Sequence, residues 1–348
     1  MRIVTNGTLG IHRKPGSFSD RWIEYCLQNK IPYKIIDCYA SDVIVQCADV
    51  QAVLWHWYHT SSIDKKFARS IIASLEKMGI IVFPSIATCW HYDDKVAQKY
   101  LLEAIGAPVI PTFVFYNIAD AKQWAKNAEY PLVFKLRAGA GSSNVHLIRN
   151  WSVARKHIVL SFSKGWSAIP SIFNDLENRM RIKKMHRELA RALWRFPRAL
   201  YGRISYRLQE REIGYCYFQD FLPNNSFDTR VVVIGNRAFA ARRHNRPRDF
   251  RASGGGMTDW DPEKIDLKCI EVGYDITQRI GAQSLAFDFL YDAGRNPRIG
   301  EISYCFPADP AHNCPGFWDP DLKWHPGHIW PQDAIIEDVL LALEQKRV

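Results

Sequence analysis

The amino-acid sequence predicts an α/β protein with more than one domain. Through about the first ninety residues, helix-like and strand-like patterns alternate, which indicates a parallel sheet with helices on its faces. After Pro111 the pattern becomes strand-rich, which indicates antiparallel sheets. With 348 residues, the chain is long enough to divide into two or three domains.

Each element of the first part carries a local signal of its own. Ser19 is predicted to cap the first helix and Asp64 the second, and Gly79 follows the end of the second helix. Pro84 stops the strand that precedes it. The predicted strands are Arg2–Thr5, Tyr33–Asp37, Ala52–Trp57 and Ile80–Phe83, and the predicted helices are Ser19–Asn29, Asp64–Met78 and Asp93–Ile105.

Two tight connections organise the strands of the second part. The Gly235-Asn236 pair is typical of a hairpin turn, and residues 292–296 form a second short connection. The predicted strands are Thr112–Tyr116, Leu132–Leu136, Val145–Ile148, Cys216–Leu222, Arg230–Ile234, Arg237–Arg242, Leu285–Tyr291 and Pro297–Ser303, and the predicted helices are Ala119–Asn127, Lys264–Ile280 and Gln332–Glu344.

The composition excludes several classes of protein. Hydrophobic residues make up 47% of the chain and charged residues 24%, which excludes a disordered chain. No apolar stretch is long enough to span a membrane, and the N-terminus becomes polar too early for a signal peptide. The eight cysteines are scattered without metal-ligand spacing, which favours reduced thiols. We therefore expect a cytoplasmic protein.

The positive charge is concentrated in one stretch. The net charge is +10, and residues 176–212 hold eleven lysines and arginines against four glutamates. Apolar residues at three- and four-residue spacing predict that this basic stretch is helical. Its alternative interpretations are a solvated lid, a surface that captures an acidic substrate, and a docking site on the anionic inner face of a membrane. Nucleic acid is the less favoured partner, and an oligomer is left open.

Lys135 is the first candidate for chemistry. It stands at the polar end of a predicted strand and precedes a loop of small residues, 138–144. Such a loop can turn backbone N–H groups toward phosphate oxygens while a lysine supplies a point charge. No Gly-Lys-Ser/Thr closes the loop, so it is not a Walker A loop. The alternative is an ordinary hairpin turn.

A second candidate lies on the last predicted hairpin. Asp288 stands on one strand, and Glu301 and Ser303 share a face of its partner. Two carboxylates in apolar surroundings are costly without a cation, and hard oxygens suit Mg²⁺. The alternative is a pair of carboxylates on a solvated face.

A third candidate is rich in arginine. Asp228-Thr229-Arg230 precedes a segment in which arginines surround three consecutive glycines, residues 254–256. Arginines around such a turn suit phosphate or carboxylate binding. A solvated basic loop is the alternative.

Taken together and in this order, these segments resemble the ATP-grasp superfamily, in particular the branch of ribosomal-protein glutamate ligases and other carboxylate–amine ligases. The resemblance runs from about Asp94 to Ser303. It implies ATP and Mg²⁺ as cofactors. It assigns nucleotide binding to Lys95, Lys135, Gly139, Gly141, Ser142, Gln219, Asp220, Phe221, Leu222 and Asp228, the transferred phosphate to the catalytic residues Arg230 and Arg251, and Mg²⁺ to Asp288, Glu301 and Ser303.

The resemblance also implies an arrangement of domains. An N-terminal parallel α/β domain is expected over residues 1–88, and a linker helix with a lid that contains the basic helical insert over 89–218. A C-terminal antiparallel-sheet domain with the metal site is expected over 219–348. Ser303 stands where the family has an asparagine, which leaves the number of Mg²⁺ ions open.

The implied function is a ligase that activates a carboxylate as an acyl phosphate for attack by an amine. The aromatic stretch 305–330 resembles tails of ATP-grasp proteins associated with surface-polysaccharide synthesis, so a carbohydrate-linked or peptide-like product is one expectation. Two alternatives stay open: a kinase of the same fold that phosphorylates a hydroxyl, and a basic protein that binds nucleic acid or membrane without turnover.

Overall fold

The computed structural model describes residues 8–58, 61–139, 144–166, 211–246 and 257–346. The predicted strand Arg2–Thr5 and nearly all of the basic stretch 176–212 lie outside the described residues. None of the helices in the described part combines the length and the apolar composition of a membrane-spanning segment.

The N-terminal part is the predicted parallel sheet. Its four strands lie in the order β2-β1-β3-β4, and all of its pairings are parallel. The strands are β1 Leu9–His12, β2 Tyr33–Ile36, β3 Ala52–Leu54 and β4 Ile81–Phe83, and the helices are α1 Phe18–Asn29, α2 Val43–Gln46, α3 Ser62–Lys77 and α4 Ile86–Cys89.

Both predicted helix caps in this part are wrong by a few residues. Ser17 caps α1, because its extended backbone lets its hydroxyl accept from the N–H of Ser19. Ser61 caps α3 in the same way by accepting from the N–H of Asp64. The Asp64 carboxylate is buried instead, where it accepts from the backbone N–H of Tyr58 and from the Lys14 ammonium.

The middle part is a four-stranded antiparallel sheet in the order β5-β8-β6-β7. The helices Ile118–Asn127 and Trp151–Ser161 bury the outer face of this sheet around Phe134 and Phe218. The sequence pattern predicted the first of these helices and not the second. The strands are β5 Thr112–Phe115, β6 Leu132–Lys135, β7 Val145–Ile148 and β8 Cys216–Asp220, and the helices are α5 Lys95–Ala104, α6 Ile118–Asn127 and α7 Trp151–Ser161.

The C-terminal part is a seven-stranded sheet in the order β13-β12-β9-β10-β14-β15, with β11 paired to β10. All of its pairings are antiparallel. The strands are β9 Phe227–Ile234, β10 Arg237–His244, β11 Thr258–Asp259, β12 Ser284–Tyr291, β13 Pro297–Ser303, β14 Gly316–Trp318 and β15 Trp324–Pro326, and the helices are α8 Leu267–Ile280, α9 Ala308–His312 and α10 Pro331–Gln345.

The N-terminal and C-terminal sheets share their hydrophobic cores. Trp55 and Trp57, which follow β3, belong to the same buried cluster as Phe287 of β12. A second cluster joins Trp22 of α1 to Ile335 of α10. The middle sheet has a separate core. This arrangement leaves a cleft where the middle sheet faces the other two.

Candidate active site

A cleft of about 840 Å³ lies among the three sheets. Its walls come from segments that are far apart in sequence: the N-terminus of α5, the ends of β6 and β8, and strands β9, β12 and β13. Twelve of the fifteen site residues predicted from the sequence line it: Lys95, Lys135, Gly139, Gln219, Asp220, Phe221, Leu222, Asp228, Arg230, Asp288, Glu301 and Ser303. The other three, Gly141, Ser142 and Arg251, lie outside the described residues.

Lys95 is the first residue of α5, which Asp94 caps. Its ammonium lies 3.0 Å from Glu301 Oε1 and donates to the carbonyl of Gly139 at 2.8 Å. The residue is only 6% exposed. Burial alone would lower the pKa of Lys95, but the neighbouring carboxylates of Glu301 and Asp93 raise it above its ordinary value, so the side chain is a fixed cation.

Lys135 closes β6 and points into the same cleft. Its ammonium donates to Gln219 Oε1 at 2.6 Å, and Gln219 Nε2 donates to the hydroxyl of Thr112 at 3.0 Å. Burial lowers the pKa of Lys135 to about 8, although Glu301 opposes the shift. The amide of Gln219 therefore orients Lys135, which is a different contribution from the direct nucleotide contact that the sequence suggested.

Asp288 lies opposite Arg230 on one neighbouring strand and opposite Glu301 on the other. Arg230 donates to both oxygens of Asp288, at 2.7 and 2.9 Å. Arg243 of β10 lies 2.9 Å from Asp288 and also forms a two-pronged ion pair with Asp228. Burial would raise the pKa of Asp288, but the two guanidinium groups hold it well below its usual range. Burial raises the pKa of Asp228 in spite of Arg243.

The chain itself therefore supplies cations to the two carboxylates. From the sequence, two carboxylates in apolar surroundings were expected to need a cation, and Mg²⁺ was the favoured one. In the structure Arg230 and Arg243 neutralise Asp288, and Lys95 neutralises Glu301. Of these three partners, Arg243 is the one that the sequence analysis did not assign to the site, because its pairing depends on strand register.

The donor set fits one divalent cation at Glu301 and Asp288. Both residues offer hard carboxylate oxygens from adjacent strands that line the cleft. The Ser303 hydroxyl donates to the carbonyl of Cys305 at 2.8 Å, so it is a poor third ligand. Among the residues that the structure describes, no group of three or more His, Cys, Asp and Glu side chains is placed to hold a metal.

The beginning of the small-residue loop and the residue before it are tied to the start of α5. The Gly139 N–H donates to Asp93 Oδ1 at 2.8 Å, and the Lys95 N–H donates to the carbonyl of Arg137 at 2.9 Å. The Arg137 guanidinium pairs with Asp94 and Glu212. Asp93 adopts a left-handed backbone conformation with φ of +55°, a strained geometry for a residue other than glycine. Sequence reasoning missed Asp93 and Arg137 as residues that position this loop.

An apolar slot adjoins the two lysines. The cleft lining here includes residues 219–222, where β8 ends, and Leu290 of β12. Ile110, Val133 and Leu136 are further apolar residues of the lining. A flat, uncharged group can be enclosed here beside two cations. A purine nucleotide needs both, an apolar slot for its base and cations for its phosphates.

No protein-family model and no curated protein matches this chain. Solved structures match most of it. A RimK domain ATP-grasp protein from Sphaerobacter thermophilus matches with a TM-score of 0.56 at 14% identity, over 96% of this chain and 99% of that one. D-cycloserine synthetase DcsG matches with a TM-score of 0.54 at 16% identity, over 96% and 100%. N5-carboxyaminoimidazole synthetase from Staphylococcus aureus, in complex with ADP, matches with a TM-score of 0.56 at 14% identity, over 88% of this chain and 72% of that one.

At these identities the likeness establishes the fold, and function needs separate evidence. The chain has the ATP-grasp fold, as the order of its motifs predicted. The α/β class, with a parallel N-terminal sheet and antiparallel sheets behind it, is confirmed as well.

Proposed function

We propose that this protein is an ATP-dependent ligase that activates a carboxylate as an acyl phosphate, which an amine then attacks. One observation carries the proposal: the buried Lys95, the half-buried Lys135, two arginine–carboxylate pairs and an apolar slot converge in one cleft of an ATP-grasp fold. The matched structures support it, since one contains ADP and another is a synthetase by name.

The apolar slot would enclose the adenine, with Asp220 at its rim placed for the ribose. Lys95 and Lys135 would bind the phosphates. Gly139 begins the loop that would cover them, together with Gly141 and Ser142. Fixed cations placed before the reaction starts stabilise charge that develops on a transferred phosphoryl group, because they need no rearrangement at that moment.

Glu301 and Asp288 would hold Mg²⁺, with Ser303 contributing little because its hydroxyl serves the backbone. Mg²⁺ would supply charge neutralisation for the phosphates. Its binding to Glu301 and Asp288 would compete with Lys95 and Arg230 for these carboxylates and would leave both side chains available for phosphate oxygens. Arg230, together with Arg251, would stabilise the transferred group, and Asp228 would keep Arg243 in place beside Asp288.

The mechanism needs no nucleophile from the protein. Cys305 lines the cleft, but burial raises the pKa of its thiol to about 12. Its neighbour His56 has a pKa lowered to about 3 by burial, so neither group is ionised at neutral pH. The carboxylate substrate itself supplies the attacking oxygen.

The proposal is tested by the release of ADP in the presence of pooled carboxylic acids and pooled amines, followed by mass spectrometry of the product. We expect ADP release that needs both pools and a product whose mass is the sum of acid and amine minus water. Release that needs only one hydroxyl compound, with a product heavier by a phosphoryl group, would show a kinase and contradict the ligase.

The pKa of Lys135 predicts how activity depends on pH. Lysine binds phosphate when it is protonated, and in the free protein this lysine has a pKa of about 8. We therefore expect kcat/KM for ATP, which reports groups of the free enzyme, to fall above about pH 8. The Lys135→Arg variant, whose guanidinium stays protonated, should keep its own activity constant through that range. An equal decline of kcat/KM above pH 8 in the parent and in Lys135→Arg would contradict the assignment of this pH dependence to Lys135.

The biological setting stays a prediction. A surface-polysaccharide or peptide-like product, an acidic or carbohydrate-linked substrate, and docking of the basic stretch 176–212 on an anionic membrane all rest on the sequence alone. The domain limits 1–88, 89–218 and 219–348 are likewise our proposal. We also propose that the active site lies where these three domains meet.

A further inference from the structure

The chain passes from the middle sheet to the C-terminal sheet beside the apolar slot. We call residues 221–226, which lie between β8 and β9, the β8–β9 connection. Four of its residues line the cleft: Phe221, Leu222, Asn224 and Asn225. Pro223 has no N–H, and Asn224 has a left-handed backbone with φ of +62°, so the connection does not continue as a regular strand. Its position therefore depends on side-chain contacts.

Asn225 bonds to the end of β12 in the way that a neighbouring strand would. Its Oδ1 accepts from the Tyr291 N–H at 2.8 Å, and its Nδ2 donates to the Tyr291 carbonyl at 2.9 Å. The main-chain pairing of β12 with β9 ends two residues earlier on β12, at Phe289. The Asn225 amide therefore extends this pairing with a side chain.

The same amide also bonds to the connection itself. Nδ2 donates to the carbonyls of Leu222 and Pro223 at 3.3 and 3.2 Å. The main chain of Asn225 is held as well, because Asn245 Nδ2 donates to its carbonyl at 2.7 Å. One amide thus links Leu222 to the residue that follows Leu290, and both leucines line the cleft at the apolar slot.

Tyr291 gives Asn225 a firm point of attachment. The residue is 6% exposed and belongs to the hydrophobic cluster that the N-terminal and C-terminal sheets share. Its hydroxyl lies 3.4 Å from the Thr229 hydroxyl and 3.4 Å from the Cys269 thiol. Pro223 and Asn224, in contrast, are exposed. We therefore expect the β8–β9 connection, and not β12, to move when the Asn225 amide is removed.

We propose that Asn225 is a positioning residue of the nucleotide site. It holds the β8–β9 connection against the end of β12, so that the apolar slot is formed before the nucleotide binds. Such preorganisation raises affinity, because binding then does not have to order the connection. The amide hydrogens of Asn225 are used by the protein, so the residue acts through Leu222 and Leu290. This inference rests on the proposed ATP-dependent function and concerns the binding of the base.

Two substitutions remove the amide in different ways. Asn225→Ala removes every bond of the side chain. Asn225→Asp keeps the shape and the acceptor for the Tyr291 N–H, but it has no hydrogens for the three carbonyls and places a negative charge against them. We expect both variants to bind a non-hydrolysable ATP analogue about 10-fold more weakly than the parent, the effect of one or two hydrogen bonds.

Inorganic tripolyphosphate separates the slot from the phosphate site, because it carries the phosphates without a base. Binding of the analogue to the full chain is measured by calorimetry with Mg²⁺, and the affinity for tripolyphosphate is obtained from its competition with the analogue. In both Asn225 variants the affinity for tripolyphosphate should be that of the parent. Asn236→Ala, in the exposed β9–β10 turn, is the matched control and should bind both probes as the parent does. Equal losses for the analogue and for tripolyphosphate in the Asn225 variants would show a general structural defect and overturn the positioning role.

The two proposals fail in different ways. If the Asn225 variants bind the ATP analogue as tightly as the parent, this inference is overturned and the ligase proposal stands. If the losses occur as expected but the pools of acids and amines yield no condensed product, the role of Asn225 is supported and the ligase proposal is overturned. If the parent does not bind the analogue, or tripolyphosphate does not compete with it, the nucleotide site is wrong and both are overturned.

Discussion

The Lys135→Ala variant should bind ATP about 10- to 100-fold more weakly, because a hydrogen bond to a charged group contributes about 1.5–3 kcal/mol. Turnover should fall by at least about 100-fold, since a lost electrostatic contact to the transferred group acts on the transition state as well. The thermal midpoint should change little. Lys135 is half-buried, donates to Gln219 and more distantly to the carbonyl of Gly300, and lies near a second lysine that repels it, so its net contribution to folding is small.

Calorimetry with an ATP analogue and steady-state ADP release measure the two effects. Lys126→Ala is the matched control, because Lys126 lies on α6 of the same part of the chain and is exposed. It should bind and turn over ATP as the parent does. Unchanged nucleotide affinity in Lys135→Ala would remove Lys135 from the phosphate site.

The Arg243→Ala variant should lose about 3–5 kcal/mol of unfolding free energy, the usual cost of leaving a buried charge without its partner. Arg243 lies between Asp228 and Asp288, and its side chain is only 14% exposed. Without it, two carboxylates that repel one another share the single guanidinium of Arg230. Activity should be lost too, because Arg230 alone then orients and neutralises the Asp288 carboxylate.

Denaturant unfolding measures this loss, and Arg242→Ala is the neighbouring control. The Arg242 guanidinium lies over the ring of Phe227 at 4.6 Å, so its removal should cost about 1 kcal/mol or less. Adding Asp228→Asn to Arg243→Ala should recover part of the stability, because it removes one of the repelling charges. An Arg243→Ala variant as stable as the parent would contradict the role of Arg243 in holding Asp228 and Asp288.

The same network predicts the acid limit of stability. Arg230 and Arg243 hold the pKa of Asp288 below its value in the unfolded chain. The stability contributed by Asp288 is therefore fully present above about pH 4 and is lost as the pH falls below it. In Arg243→Ala this loss should be smaller, because one of the two cations that cause the shift is gone.

The sequence predicted helices and strands most accurately where the signals that set their limits are local. The β13 strand Pro297–Ser303 was predicted with its observed limits, since Pro297 and the preceding turn fix its start. It missed β1 Leu9–His12, which is four residues long and contains a glycine, so its pattern is weak. It also missed α7, whose apolar residues do not form one clear face.

Pairings between distant residues could not be predicted from the sequence. Lys95 and Glu301 are each part of a motif, but nothing in either motif shows that they form an ion pair with each other. The pairing of Arg243 with Asp228 follows from the β9–β10 register, and its contact with Asp288 needs a third strand. Among the described residues, the Gln332 Oε1 has no hydrogen-bond partner, which depends on how α10 packs and which no periodicity reveals.

The central claim is that a carboxylate oxygen attacks the terminal phosphoryl group of ATP in this cleft. The most direct measurement is oxygen transfer: the acid pool is labelled with ¹⁸O in its carboxyl groups, and the phosphate released in the presence of amines is analysed by mass spectrometry. An acyl phosphate leaves its bridging oxygen with the phosphate when the amine attacks, so we expect one labelled oxygen in each phosphate released by the coupled reaction. Phosphate without label, at a turnover that depends on acid and amine, would contradict the account.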